Sequence, residues 1–462
     1  LLITVDNGIS SHTGIAAAQA LGIKVLVTDH HLPGEEPCPA DAVVNPNQPG
    51  CGFPSKAACG CTVAFYLLWV LRRVASDWLH SEGRAAPNMG DYLDLVALAT
   101  IADVVPLDGN NRILVEQGLR RLRAGLARPG ITALLEAAGR DPARIYSQDL
   151  GFVLGPRLNA AGRMDDMTVG VACLLADNAD DARALAGMLE EFNQARKQVQ
   201  SKMVDDAAGQ VVQALRRASF AAADSDPVHN HILVVWDDDW HEGVVGLVAG
   251  RLKEQYQQPV LALCPGEDGH FKGSARSIPG VHIRDLLAWV DAQQPGLILK
   301  FGGHAMAAGL TVAHADLNTL QKSLQVAATA LVPADVWVSE LLVDGALKAH
   351  ELTLNQAEEL THLGPWGQGC PAPLFVNHFS VVTQRWLNER HLKLQLSVAG
   401  AAEPVDAIWF FCPLASDTEL PATVHLVYEL SVNEFRSRRS VQLMVKAEIT
   451  ADLYNAALVS PG

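Results

Sequence analysis

The sequence predicts an α/β protein of several domains: a doubly wound domain, a long helix, a second α/β domain and a C-terminal β-barrel. Three observations carry that expectation. Apolar runs alternate with helical patterns over the first part of the chain, the layout of a parallel sheet covered by helices. The stretch Val169–Leu215 has little Gly or Pro and repeats apolar residues at helical spacing. Beyond Gly364, short β-rich runs separated by turns take over.

Leu1–Val5 and Lys24–Thr28 read as strands, and Ile15–Leu21, closed by Gly22, as the helix between them. Such a unit sets its strands parallel, about 4.8 Å apart, with both carboxyl ends on one edge of the sheet. Ala42–Asn45 is a short third strand ending in the turn-rich Pro46–Gly50, and helices follow near Val63–Val74 and Tyr92–Ile101. This first domain is expected over residues 1–175. A parallel sheet needs its strands covered, and the chain opens on a core strand, so further strands are expected upstream of Leu1. Asn178-Ala179-Asp180-Asp181 caps a connector (176–220) whose helix runs from about Asp181 to Arg217, with the polar Ala221–Asn230 ending it.

The second α/β domain (221–335) reads as strands His231–Trp236, Val260–Cys264 and His270–Ser277, with helices Gly243–Gln255, Ile283–Ala292 and Asp316–Leu331. The last domain (336–462) has five β-rich runs, Phe379–Thr383, Leu392–Val398, Ala407–Phe411, Thr423–Leu430 and Ser440–Ile449, for which an OB-fold barrel is expected. Barrels of this kind bind single strands; Trp386, Arg390, His391, Phe435, Arg436, Arg438 and Arg439 are candidate stacking and phosphate contacts.

Of 462 residues, 49% are hydrophobic and 19% charged, which describes a globular protein with a substantial core. No apolar run reaches bilayer length, and a cytoplasmic protein is expected. A net charge of -16 argues against coating nucleic acid electrostatically, but is compatible with a nuclease whose carboxylates hold metal. Cys38, Cys51, Cys59 and Cys61 cluster in sequence without a paired C-x-x-C knuckle, which favours free thiols over a zinc site.

Val5-Asp6-Asn7-Gly8 and Thr28-Asp29-His30-His31 end the two paired strands, so Asp6, Asp29, His30 and His31 converge on one sheet edge. Carboxylates and imidazoles gathered there suit a divalent transition metal. His30 and His31 are neighbours on extended chain and point in different directions. Asp103, after an apolar helix and before Pro106, either caps local backbone or faces a cleft. Gly155–Arg163 reads as a loop of small residues carrying Arg157 and Arg163, either a ligand loop or a packing turn. Lys272-Gly273-Ser274-Ala275-Arg276 and Phe301-Gly302-Gly303-His304 repeat that chemistry; Gly302 and Gly303 free backbone N–H groups for an anion, with His304 beside them.

Taken together and in order, these strings resemble the DHH phosphoesterase superfamily, and within it the 5′→3′ exonucleases specific for single-stranded DNA. Further matches are Ala102-Asp103-Val104-Val105-Pro106-Leu107, Gly302–Gly309 and the Gly364-Pro365-Trp366-Gly367 turn. The resemblance implies Asp6, His30 and Asp103 as ligands to two Mn²⁺ or Mg²⁺ ions, with His31 beside them as a ligand or phosphate contact. It implies that Arg157, Asn159 and Arg163 shape the site, and that Ser274, Arg276, Gly302, Gly303 and His304 contact the DNA backbone. It places the superfamily's first motif, Asp-x-Asp-x-Asp-Gly, N-terminal to Leu1. It also implies a monomer that acts in recombination and repair alongside a helicase and a single-strand-binding protein. Two other readings stay open: a phosphodiesterase of the same superfamily acting on short oligonucleotides, and a non-catalytic single-strand-binding fragment.

Overall fold

The computed structural model describes residues 1–164, 166–221, 231–337, 340–416, 418–435 and 438–459. The chain divides into two compact units: residues 1–159, 167–190 and 343–462 form one, and 160–166 with 191–342 the other.

The first unit begins with strands β1 (Leu2–Val5), β2 (Val25–Thr28) and β3 (Ala42–Val44), parallel and in that spatial order. Val25 and Val27 of the central strand are buried with Ile15, from the helix His12–Ala20. At the sheet's edge, Leu2, Ile3 and Val5 are exposed. Strand–helix alternation, expected as far as residue 175, ends at Val44. Helices alone follow: Gly60–Val74, Ser76–Ser81, Leu93–Ala102, Gly109–Arg123, Pro129–Ala137, Gly155–Met164 and Thr168–Leu175 among them. Leu, Ala and Arg fill this stretch, all good helix formers, and no β-branched run interrupts them.

Gly155–Arg163, expected as a loop, is likewise helical; the helix Gly155–Met164 continues from a π-helical turn at Leu150–Leu154. Pro156 follows directly on that π-helical turn, where the Gly155 amide already bonds back to Leu150 O, and its missing N–H falls at this irregularity in the helical ladder. Ala160 and Ala161 are fully buried, so the small residues serve close packing. The helix Ala179–Ala221 spans the connector, with the Asn178 side chain accepting from the Asp181 amide at its start (2.9 Å). Its expected end in 221–230 falls, beyond Ala221, outside the described residues.

The second unit holds a mixed sheet of β4 (Leu233–Trp236), β5 (Val260–Pro265), β6 (His270–Arg276), β7 (Ile298–Gly303) and β8 (Ala307–Ala313), ordered β4-β5-β6-β8-β7. The first pair is parallel and the others antiparallel. Two strands here were not expected. Phe301–Gly309 carries the Gly and Ala of a loop, yet it forms most of the β7–β8 hairpin, because small residues let the backbones pair without side-chain demands. One face packs on the helices Ile283–Gln293 and Leu317–Leu331 through Leu286, Val290, Leu320 and Leu324. On the other, Val244 and Val248 of the helix Glu242–Tyr256 and Met203 of the long helix cover β4 and β5.

The last part of the first unit is a closed barrel of β9 (Phe375–Leu387), β10 (His391–Ser397), β11 (Val405–Trp409), β12 (Thr423–Phe435) and β13 (Arg438–Ile449), ordered β10-β11-β13-β12-β9. The five runs expected as strands are these five, and closure leaves no free sheet edge. Tyr428 is buried in the barrel core; its hydroxyl donates to Asn377 Oδ1 (2.8 Å), which also accepts from the Leu347 amide (3.1 Å). Tyr428→Phe should lower the stability of this unit by about 1 kcal/mol, one hydrogen bond's net worth, since Leu347 still satisfies the amide oxygen. Urea unfolding checks this, and an unchanged midpoint contradicts it.

Candidate metal centre

Pairing of Val5 with Thr28 sets the residues after each strand side by side. Asp6 donates its amide to the Thr28 carbonyl (3.0 Å) and turns into the left-handed region at φ 61°, which Asp tolerates better than most residues. His30 Nε2 then lies 3.1 Å from Asp6 Oδ1 and 3.5 Å from Asp103 Oδ2. Neither approach is a hydrogen bond: His30 Nε2 is buried with no partner of hydrogen-bonding geometry. The His31 ring stands 4.5 Å from that of His30, tilted by 59°. Asp6, His30 and His31 offer ligand atoms that all lie within 4.8 Å of one another.

Both readings of Asp103 apply to different atoms of it. Its amide closes the helix Leu93–Ala102 on Ala99 O (2.9 Å), while its carboxylate reaches His30. Burial raises the Asp103 pKa above its usual value; the His30 imidazole pulls it down, and the Asp6 carboxylate pushes it up again.

Asp29 does not join the cluster as a fourth ligand. Its side chain is only 1% exposed and faces the backbone. Oδ2 accepts from the Ile9 amide (2.9 Å), and Oδ1 from the amides of His30 (2.8 Å) and His31 (3.1 Å). Oδ1 also lies 2.7 Å from His31 Nδ1. Burial pushes the Asp29 pKa up, but the bonds from His31, Ile9 and His30 outweigh it and the net shift is downward. The hydrogen bond to Asp29 raises the His31 pKa, against the effect of burial.

Sequence reading missed the other supports of this edge. Asn45 Nδ2 donates to His31 O (2.9 Å) and Asn47 Nδ2 to His30 O (2.6 Å), so the turn after β3 holds the two histidines' backbone. Two Asn flanking Pro46 beside the neighbouring strand end were the available signal. Gly60 begins the helix Gly60–Val74 against Asp6, where any Cβ would overlap the carboxylate. That approach sets an acidic group at the positive end of a helix.

The remaining expected site residues fall elsewhere. Arg157 is buried, with Nη1 donating to Val153 O (2.8 Å) and Nε 2.6 Å from Glu190 Oε2. Asn159 is exposed on the same helix. In the second unit, Arg163 donates to Gly243 O (3.0 Å), and Arg276 to Ser274 Oγ (2.8 Å). Burial lowers the pKa of both guanidinium groups, and for Arg276 the nearby Arg163 charge adds to it. Ser274, Gly309 and Gly302 lie in one row across β6, β8 and β7. Gly303 ends β7, and His304, exposed, donates its amide to Ala307 O (2.8 Å) in the hairpin turn.

On the barrel, Trp386 packs against the core, His391 Nδ1 accepts from the Phe411 amide (2.9 Å), and Arg439 pairs with Glu358 (2.8 Å). The Phe435 side chain and Arg436 lie outside the described residues. All eight cysteines are free. No helix among the described residues is long and apolar enough to cross a membrane.

Three family models match the chain: the DHH family N-terminal domain over residues 1–100, the DHHA1 domain over 229–330 and the RecJ OB domain over 343–447. The chain is 46% identical to the single-stranded-DNA-specific exonuclease RecJ of Escherichia coli over 448 residues, covering 96% of this chain and 76% of that protein. It is 47% identical to the RecJ of Dickeya dadantii, covering 96% and 77%. A crystal structure of RecJ with Mn²⁺ from Thermus thermophilus superposes with a TM-score of 0.74 at 30% identity, over 97% of this chain and 61% of that one. Similarity of this extent, with the three domains in one order, shows that the chain belongs to the RecJ family.

Proposed function

We propose that the protein hydrolyses phosphodiester bonds of single-stranded DNA from the 5′ end, as a metal-dependent exonuclease using Mn²⁺ or Mg²⁺. The observation that carries this reading is the buried, unbonded His30 Nε2 set between the carboxylates of Asp6 and Asp103. A nitrogen lone pair left open among oxygen donors fits a divalent ion. Asp6, His30 and Asp103 would hold it, with His31 Nε2 as a further ligand or a phosphate contact. When bound, the ion activates a water and offsets charge developing on the phosphate. The chain's own residues fix the donors: Asp29 orients His31, and the Gly60 helix start backs Asp6. The RecJ relatives are named as single-stranded-DNA-specific exonucleases, and the Thermus protein is crystallised with Mn²⁺ and with Mg²⁺. The reading extends to a monomer in the cytoplasm that works alongside a helicase and a single-strand-binding protein.

The test is degradation of 5′-labelled single strands and duplex with Mn²⁺, with and without chelator. Release of labelled mononucleotides from the single strand alone, abolished by chelator, is expected; intact single strands in Mn²⁺ overturn the reading. Arg163 and Arg276, two half-buried cations with no carboxylate partner among the described residues, are assigned with Ser274 to the DNA backbone. Arg276→Ala should weaken binding of uncleaved single strands in chelator for every sequence tested. It should also reduce the slope of log affinity against log salt by about 1, one phosphate contact. An unchanged slope removes Arg276 from the contact.

A further inference from the structure

The loop that carries Asp103 is held from outside by the segment leading into the barrel. Val104 stands at φ 59°, a left-handed conformation that a β-branched residue rarely adopts, and its side chain is exposed. Nothing intrinsic to Asp103-Val104-Val105-Pro106-Leu107 favours that shape. On one side, Asn111 donates to Pro106 O (2.9 Å) and to Ala57 O (2.8 Å). On the other lies Gly364–Cys370. The Leu107 amide donates to Gln368 O (2.7 Å). Arg112 donates to Leu363 O (3.1 Å) and Cys370 Sγ (3.0 Å), and stacks 5.7 Å from the Trp366 ring. Ser147 Oγ donates to Trp366 O (2.9 Å). Gly367 lies so close that a Cβ there would come within 2.8 Å of Leu107 Cδ1, and one at Gly369 within 3.4 Å of Pro106.

We infer that the Gly364–Cys370 segment is a positioning element for Asp103: the barrel's lead-in clamps the strained turn that aims this carboxylate at His30. The barrel thereby sets metal affinity as well as carrying its own surface. The inference rests on Asp103 being a metal ligand. A strained backbone persists only where its surroundings over-determine it, and here the lead-in supplies the outer half of that constraint. Supports of this kind around metal ligands are worth about 10- to 100-fold in affinity.

Two variants loosen the clamp without touching a ligand. Arg112→Met removes both anchoring bonds, and Gly367→Ile wedges the segment away from Leu107. Mn²⁺ dissociation constants, read by electron paramagnetic resonance on the full chain, should rise about tenfold in each. The KM for single-stranded DNA and the unfolding temperature should move little, and Gly367→Ala should fall between Gly367→Ile and the parent. Binding is reciprocal, so Mn²⁺ should slow hydrogen exchange at the Leu107 amide of the unaltered protein. Unchanged Mn²⁺ affinity in folded variants overturns the clamp. So does exchange at Leu107 that ignores Mn²⁺, should the variants fail to fold. Asp103→Asn separates the two claims: if it binds Mn²⁺ as the parent does, the ligand assignment itself fails.

Discussion

Asp6→Asn should lower the exonuclease rate by about 10³-fold while leaving the fold intact. A bound ion supplies several kcal/mol of transition-state stabilisation, and each 1.4 kcal/mol is about tenfold in rate. Asn is the informative replacement because the backbone at this position is left-handed, at φ 61°. Asn shares Asp's tolerance for that region, so the strand end and its amide bond to Thr28 O survive. Asp6→Ala would confound lost charge with backbone strain. In the Asn variant the carboxylate 3.1 Å from His30 Nε2 becomes a neutral amide, and ion affinity falls with the rate. Steady-state cleavage of labelled single strands, with circular dichroism to confirm folding, makes the measurement. A variant that cuts within tenfold of the parent removes Asp6 from the metal centre.

The meeting of Asp6 with His30 was legible because it needs only a strand–helix–strand unit and parallel register: Val5 opposite Thr28 fixes both ends at once. The barrel was legible for a related reason, since alternating short runs between turns have few other solutions. Asp103 was different. Nothing in its spacing shows a helix C-terminus turned through Val104 toward His30; the residues left backbone capping and a cleft-facing carboxylate both open, and the family resemblance named the ligand role. Gly155–Arg163 misled because Gly and Pro read as breakers, although Pro beside a π-helical turn and buried Ala beyond it are compatible with a helix. The β7–β8 hairpin was hidden because Gly302, Gly303 and Ala307–Gly309 carry no alternating pattern to detect. Asp29 shows the limit most plainly. Strand geometry placed it at the edge, but whether a carboxylate faces a metal or the backbone depends on which amides come within reach, and those include Ile9, distant in sequence.

That inward turn makes Asp29 the second position where a large effect is expected. Asp29→Asn should cost about 3 kcal/mol of stability and weaken Mn²⁺ binding by about 10- to 100-fold. The carboxylate accepts three backbone amides and the His31 ring from a site that is 1% exposed. An amide in its place turns an NH₂ toward one of those donors and leaves a buried pair facing donor to donor. It also removes the charge that holds His31 Nδ1 protonated and so leaves Nε2 as the ring's free donor atom. The pH dependence of the metal-free parent carries the same signature. The Asp29 pKa lies below its ordinary 3.8, so its contribution to stability is present above that value and is lost as pH falls through the depressed one. The His31 pKa lies above its ordinary 6.5, so its contribution is full below 6.5 and is lost as pH rises through the raised value. Both act together between 3.8 and 6.5. The stability gap between parent and Asp29→Asn should therefore be widest in that window and narrow on either side. Urea unfolding across pH measures it: a gap that narrows at acid pH but keeps its full size as pH rises through the raised His31 value would show that Asp29 acts through its backbone bonds alone, without the His31 charge.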